Sequence, residues 1–420
     1  MQSNLKRLTV KLRIAVVQLN PQIGHIGETI ARVDSLVSRI GNYKPDIVVF
    51  PEFALSGYNF RSRSHIQQHL SSSQQGPAWD LCQQISKCLS CVTVMGYPED
   101  PADGTNHIYN SVIVVNSEGQ LAFNYRKSFL YDTDEQWGCS ENPLGFQTFD
   151  LPFANRAIDA DGLVHDVTIK SAVGICMDLS PYKFEAPFQS FEFSSFHAEN
   201  LTELILFPMA WLNSASVTKK SENQEAGKAA IEKSLKSLGF PPSGSQGDFQ
   251  WDVELGDGTC FKDVPKGAES GTPVDSALTQ NFSHPAVPDN ANVDYWILRF
   301  MPFLAFKERF RWFSSQLLGP ILNKLKDVRT SYMGGTTRRP WIFENRSVVA
   351  VMCNRSGVED GTTVYAGSSS IFKFNGRYGA DEIDLDSSNR SVEILGSLGK
   401  GYEGVLLRDV EFEVLKNVID

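Results

Sequence analysis

The chain reads as an α/β protein in which helices cover a mixed sheet. Its first two-fifths alternate between apolar, strand-like runs and stretches of helical period, and the same alternation resumes after about residue 338. A carboxylate, an ammonium and a thiol, Glu52, Lys127 and Cys176, each stand at the C-terminal end of an apolar run. In an α/β sheet, strand ends of that kind converge on one crevice.

Leu12-Arg13-Ile14-Ala15-Val16-Val17-Gln18-Leu19 is the first strand expected, and Ile30, Val33, Leu36, Val37 and Ile40 then repeat at helical spacing. Pro45 resets the chain into Ile47 to Phe50, which leads through Pro51 to Glu52. A second helix is expected after Pro77, followed by the strand Cys91 to Tyr97. Strands at Ile108 to Val115 and Gln120 to Tyr125 flank the turn Asn116-Ser117-Glu118-Gly119. Thr168 to Cys176 is the strand that carries the thiol. A Phe-rich helical stretch, Phe184 to Leu201, leads to the strand Leu204 to Pro208.

From about 213 to 289 Ser, Lys, Gly, Pro and Asp dominate and periodicity fades, which predicts a partly mobile surface excursion. The aromatic stretch Tyr295 to Leu325 is expected to be helical and packed on the body. The domain reading is therefore a catalytic body over 12–212 and 331–410, with an insertion over 213–330. A helix is expected at Arg338 to Asn345, with strands at Ser347 to Cys353, Ser368 to Phe374 and Val405 to Arg408.

With 41% hydrophobic and 21% charged residues, the chain is ordinary globular material. A net charge of −10 argues against a nucleic-acid or anionic-membrane partner, and no apolar run is long enough to span a bilayer. The basic start, with Lys6, Arg7, Lys11 and Arg13, reads as a short solvated arm in preference to a mitochondrial presequence. Seven scattered cysteines, an odd number, suggest no disulfide framework, hence a reducing compartment and a cytoplasmic address.

Attack on an amide requires a nucleophile, a group to take its proton, and stabilisation of the tetrahedral oxyanion. Cys176 suits the first task. Glu52, its pKa raised by burial, suits the second and can then protonate departing ammonia. Lys127 suits the third, with the backbone N–H of Met177. A buried ammonium needs a counter-charge, and Glu135 is the nearest candidate besides Glu52. Taken singly, each residue has a plainer reading: a strand-end Cys is usually a small hydrophobe, and Glu or Lys is usually on the surface.

The words around these residues change the odds. VVFPEFALSGY (48 to 58), YRKSFLYDTDE (125 to 135) and GICMDLSPY (174 to 182) resemble the glutamate, lysine and cysteine motifs of the nitrilase (carbon–nitrogen hydrolase) superfamily. FPMAWL, RRPWIFENRSVVAVMCNRSG and YAGSSSI resemble its later segments. This resemblance implies a four-layer αββα sandwich and a Glu52–Lys127–Cys176 triad, with no cofactor and no metal. Within the superfamily the lysine and cysteine segments are similar to a fungal branch that removes ammonia from N-terminal Asn or Gln of proteins, priming them for arginylation and degradation. The implied substrates are proteins or peptides beginning with Asn or Gln, and the oligomeric state is left open. A small-molecule amidase of the same superfamily and a degenerate, non-enzymatic scaffold are the alternatives.

Such a site must recognise a free α-ammonium, most simply with an acid. Asp178, Asp132, Asp134 and Glu135 lie near the motifs, although an acid two residues after the nucleophile is common in the superfamily whatever the substrate. Trp211 and Tyr58 are candidate walls of the pocket, or core residues. Cys88-Leu89-Ser90-Cys91 lacks a second pair at zinc spacing. His65 and His69 lack the glutamate of a zinc protease, and Gly396 to Gly401 lacks Walker spacing.

Overall fold

Leu8, Val10, Leu12, Ile14 and Val16 alternate with Arg7, Thr9, Lys11 and Arg13, a strand pattern that begins earlier than the first apolar run suggests. In the computed structural model, which describes residues 5–213, 249–265, 284–304, 343–360, 363–376 and 391–417 with Ala229 and Lys233, strand β1 accordingly runs from Leu5 to Gln18. The expected basic arm is thus part of the sheet. β1 pairs along its whole length, antiparallel, with the last strand, Gly404–Asn417. The basic residues of the one face acids of the other: Arg7 lies 2.8 Å from Glu413, Lys11 2.8 Å from Glu411 and Arg13 2.6 Å from Asp409.

The elements after β1 are α1 (Ile26–Ile40), β2 (Ile47–Val49), α2 (Arg63–Gln67), α3 (Pro77–Leu89), β3 (Val92–Glu99), β4 (Tyr109–Val115) and β5 (Leu121–Arg126). Then follow α4 (Asp132–Trp137), β6 (Thr148–Ile158), β7 (Val164–Val173), α5 (Glu192–Glu199) and β8 (Leu204–Met209). The hairpin β9 (Gln250–Glu254) and β10 (Cys260–Asp263) and the helix α6 (Asn290–Arg299) come next. β11 (Ser347–Asn354), the small hairpin β12 (Val358–Glu359) and β13 (Thr363–Val364), β14 (Ser370–Asn375), β15 (Val392–Ser397) and β16 (Gly404–Asn417) complete the described chain.

β1 joins two halves of one sheet. Its C-terminal part pairs with β2, continuing through β3 and β4 to β5, while its N-terminal part touches β6, continuing through β7, β8, β11 and β14 to β15. The halves fold over each other, so that β1 and β16 pack on β11, and β3 on β8. Leu12, Ile14, Val49, Val94, Val112, Ile169 and Val351 belong to the core that results. α1 and α3 cover the first half through Val33, Leu36, Leu81 and Ile85 against Ala15, Val17, Val48 and Met95. On the second half Phe193 of α5 meets Phe207 of β8, and Phe300, just past α6, meets Phe374 of β14. The layers are therefore α, β, β, α.

Several boundaries differ from expectation. The Phe-rich stretch forms only α5 and short 3-10 turns, because Pro187 interrupts it. The expected helix at Arg338 to Asn345 falls largely outside the described residues, as does Tyr295 to Leu325 beyond residue 304. Within 213–330 the hairpin β9–β10 was not anticipated; β9 runs parallel to β16 and extends the main sheet. No described helix is long and apolar enough to cross a membrane.

Gly96 in β3 is a constraint that the site depends on. A Cβ placed there would lie 2.6 Å from the Cα of Glu52 and 2.8 Å from the carbonyl oxygen of Pro51. These are backbone atoms that cannot swing aside. Gly96→Ala is expected to cost about 1–3 kcal/mol, read as a lowered Tm; an unchanged melting curve would show that the two segments can part freely.

Candidate active site

The peptide that follows β2 lies along β3. Phe50 N–H donates to the Val94 carbonyl (2.8 Å), Gly96 N–H to that of Pro51 (3.1 Å) and Ala54 N–H to that of Gly96 (3.0 Å). This lacing turns Glu52 inward, where it is wholly buried. Lys127, one residue past β5, is held by its own N–H donating to the carbonyl of Asn110 on β4 (2.8 Å). Its side chain is also wholly buried. Lys127 Nζ donates to Glu52 Oε1 at 2.8 Å and to Asp134 Oδ2 at 2.6 Å. Asn110 Nδ2 donates to both carboxylates, at 2.6 Å to Glu52 Oε1 and 2.9 Å to Asp134 Oδ1. The backbone N–H of Ala210, just past β8, donates to Glu52 Oε2 at 2.6 Å.

Cys176 follows the end of β7, where Gly174 N–H donates to Leu206 O and starts a tight turn. Its φ of +41° lies in the left-handed region, a conformation that a side chain occupies only at some cost and one that clusters at functional sites. The turn aims the residue into a cavity of about 530 Å³ lined by Tyr58, Tyr131, Cys176, Met177, Ser180, Phe184, Ala210, Trp211, Leu212, Ala291, Asn292 and Tyr295. That volume is in the usual range of small-ligand sites.

Charge in this buried place is unevenly distributed. Two carboxylates face one ammonium, an excess of one negative charge when both are ionised. Burial pushes Glu52 above its usual range, and Asp134 adds to this while Lys127 opposes it. Burial alone would strip the proton from Lys127, yet Asp134 and Glu52 outweigh it and keep the ammonium charged well beyond the ordinary range. Burial and the neighbouring Glu52 raise the Cys176 thiol, against the pull of Lys127. The resting site therefore holds a neutral thiol near an unusually basic carboxylate, which is what a thiol nucleophile needs for activation.

The structure brings Glu52 and Lys127 into direct contact, and Cys176 within their electrostatic influence at the cavity floor. Met177, Tyr58 and Trp211 line the same cavity. Two expectations need correction. Glu135 is not the counter-charge of Lys127: it is half-exposed and pairs with Lys183 at 3.4 Å. One position earlier on α4, Asp134 points inward, reaching back to the Tyr131 N–H at 2.9 Å as well as to Lys127. Asp178 is wholly buried and does not line the cavity either. Its Oδ1 accepts from Ser128 N (3.0 Å) and Phe129 N (2.8 Å), and its Oδ2 from Ile175 N and the Tyr125 hydroxyl (both 2.9 Å). It ties the lysine segment to the cysteine turn.

Asn110, Asp134 and Ala210 are the contacts that sequence reasoning missed. The signal for Asp134 was present in Asp132-Thr133-Asp134-Glu135, whereas Ala210 acts through its backbone alone. Among the described residues no group of three or more His, Cys, Asp or Glu is placed to hold a metal. Cys88 is exposed and Cys91 buried, and His65 and His69 pack on Phe60.

The carbon–nitrogen hydrolase family model matches residues 13–179. Protein N-terminal amidase of Saccharomyces cerevisiae is 44% identical over 98% of this chain and 97% of its own length. The enzyme of that name from Schizosaccharomyces pombe is 29% identical over 48% of this chain and 71% of its own. A crystal structure of N-terminal amidase with a Gln-Val peptide superposes with a TM-score of 0.81 at 43% identity, covering 98% of this chain and all of that one. One with an Asn-Glu-Ala peptide gives 0.80 at 44%, over the same shares of the two chains. With the buried Glu52–Lys127 pair beside Cys176 and likeness along nearly its whole length, the chain belongs to the carbon–nitrogen hydrolase family, in its protein N-terminal amidase branch.

Proposed function

We propose that this protein hydrolyses the side-chain carboxamide of an N-terminal Asn or Gln in proteins and peptides, giving Asp or Glu and ammonia. The observation that carries the reading is the buried Glu52–Lys127–Asp134 cluster beside Cys176, which itself lines a cavity large enough for a residue and the start of its peptide. The related amidase structures with Gln-Val and Asn-Glu-Ala peptides support the substrate class.

Glu52 takes the thiol proton as sulfur attacks the carboxamide carbon. The C=O pair moves onto oxygen, and Lys127 with the Met177 N–H stabilises that oxyanion. Collapse expels the amine, which receives the proton from Glu52 and leaves as ammonia, while the acyl group stays on Cys176 as a thioester. A water deprotonated by Glu52 then attacks the thioester, and the released thiolate regains the proton. Asp134 keeps Lys127 charged throughout. The new acidic N terminus suits later arginylation and degradation, with the cytoplasm as the setting. In this reading residues 12–212 and 331–410 are the catalytic body. The insertion 213–330 supplies Ala291, Asn292 and Tyr295 to the cavity wall.

Mass spectrometry of an Asn- and Gln-containing peptide library tests the reading. An amide-to-acid mass gain is expected at position one only, absent with Cys176→Ala and with Glu52→Gln. Conversion of internal residues, or only of free asparagine or nitriles, would overturn it.

The pH profile follows from the charges. Glu52 must be ionised to act as base and burial raises its pKa, so kcat/KM should fall as pH drops, with a midpoint above the usual Glu value of about 4.3. If the substrate must present an α-ammonium, a second fall is expected near about pH 8, where that group loses its proton. An acid limb at or below the ordinary carboxylate value would contradict this.

Asp134→Asn and Glu135→Gln separate the two neighbouring acids. The first leaves a buried ammonium one partner short and is expected to cost about 3–5 kcal/mol of stability and most of the activity. The second removes a half-exposed pair and should change stability by less than about 0.5 kcal/mol. Thermal melts and initial rates on both variants check the contrast.

A further inference from the structure

Asn110 does more than fill space beneath the catalytic cluster. It is wholly buried on β4, and three of its contacts reach the charged residues. Its carbonyl oxygen receives the Lys127 N–H at 2.8 Å. Its Nδ2 donates to Glu52 Oε1 at 2.6 Å and to Asp134 Oδ1 at 2.9 Å. Among the described residues, the Oδ1 atom is buried without a hydrogen-bond partner. That is an unfavourable state for a buried acceptor, yet the amide cannot gain by turning over. Its oxygen would then confront two carboxylates, which have no proton to donate when ionised. The orientation is dictated by the two acids, and the side chain accepts an orphaned oxygen in exchange.

We propose that Asn110 is a positioning residue for the reaction: it holds Glu52 and Asp134 apart around one ammonium and sets how basic Glu52 is. This rests on the reading of Glu52 as the base. Two carboxylates sharing Lys127 repel each other, and Lys127 alone cannot fix which oxygen of each it meets. A neutral amide that donates to both supplies the missing geometry without adding charge. Hydrogen bonds to an ionised carboxylate also favour that form over the protonated one. Among the described residues, the titratable groups whose charges bear on this cluster are Lys127, Asp134, Asp178, Cys176, Cys139, Tyr58 and Tyr365. Asn110 does not titrate.

The test is steady-state kinetics of Asn110→Ala and Asn110→Ser on an Asn-initiated peptide across the pH range, with thermal melts as a fold check. Losing a hydrogen bond to a charged group is worth roughly a tenfold to hundredfold change. That loss is expected in kcat, with KM within about twofold because Asn110 does not line the cavity. The acid limb of kcat/KM should move upward by about one unit. Asn110→Ser, whose hydroxyl can still donate to one carboxylate, should show the same direction with a smaller change, and it serves if the Ala variant does not fold. An acid limb unmoved from wild type, or a loss confined to KM, would overturn the proposal. Glu52→Gln keeps the two readings distinguishable. If it retains activity, the assignment of the base falls; if it is inactive while Asn110→Ala keeps the wild-type profile, only the role of Asn110 falls.

Discussion

The site depends on one buried ammonium held between two buried carboxylates. Moving Lys127 out of water would favour its neutral form, and a neutral amine could not stabilise an oxyanion. Asp134 and Glu52 reverse that preference at 2.6 and 2.8 Å. The arrangement carries a cost of its own, since burial raises the pKa of Glu52 and of the nearby thiol, with Asp134 adding to the first and Glu52 to the second. That cost is useful here: a more basic carboxylate beside a protonated thiol is a better proton acceptor at neutral pH.

Much of the surrounding fold serves to keep four segments in register around this cluster. β3 must approach the backbone of Glu52 closely, and Gly96 permits it. Asp178 joins the segment after β5 to the turn that bears Cys176, through Ser128, Phe129 and Ile175. Ala210, at the end of β8, fixes the second oxygen of Glu52. β7 and β8 are parallel neighbours whose C-terminal ends open on the same side as that of β2, so the crevice common to α/β sheets becomes the pocket here.

What was legible in the sequence follows from how local each signal is. Glu52, Lys127 and Cys176 stand at the ends of apolar runs, and a run is visible without any partner. Asp134 and Glu135 were not separable, because neighbours on a helix point about 100° apart and only the packing of α4 says which faces inward. Asn110 looked like any polar residue in a strand; its role depends on the pairing of β3, β4 and β5. The start of β1 is hidden in the sequence for a similar reason. Its charged residues suggest a solvated arm until their partners on β16, some 400 positions away, are known. The hairpin β9–β10 lies in a stretch of weak periodicity, and its place is set by β16.

The charge state of Lys127 is measured directly by NMR of protein with 15N-labelled lysine. The Lys127 signal, identified by its loss in Lys127→Met, should keep its ammonium character up to and beyond the ordinary lysine value of about 10.4. A Lys127 amine already neutral around pH 8, within the range documented for buried lysines that lack partners, would contradict the account.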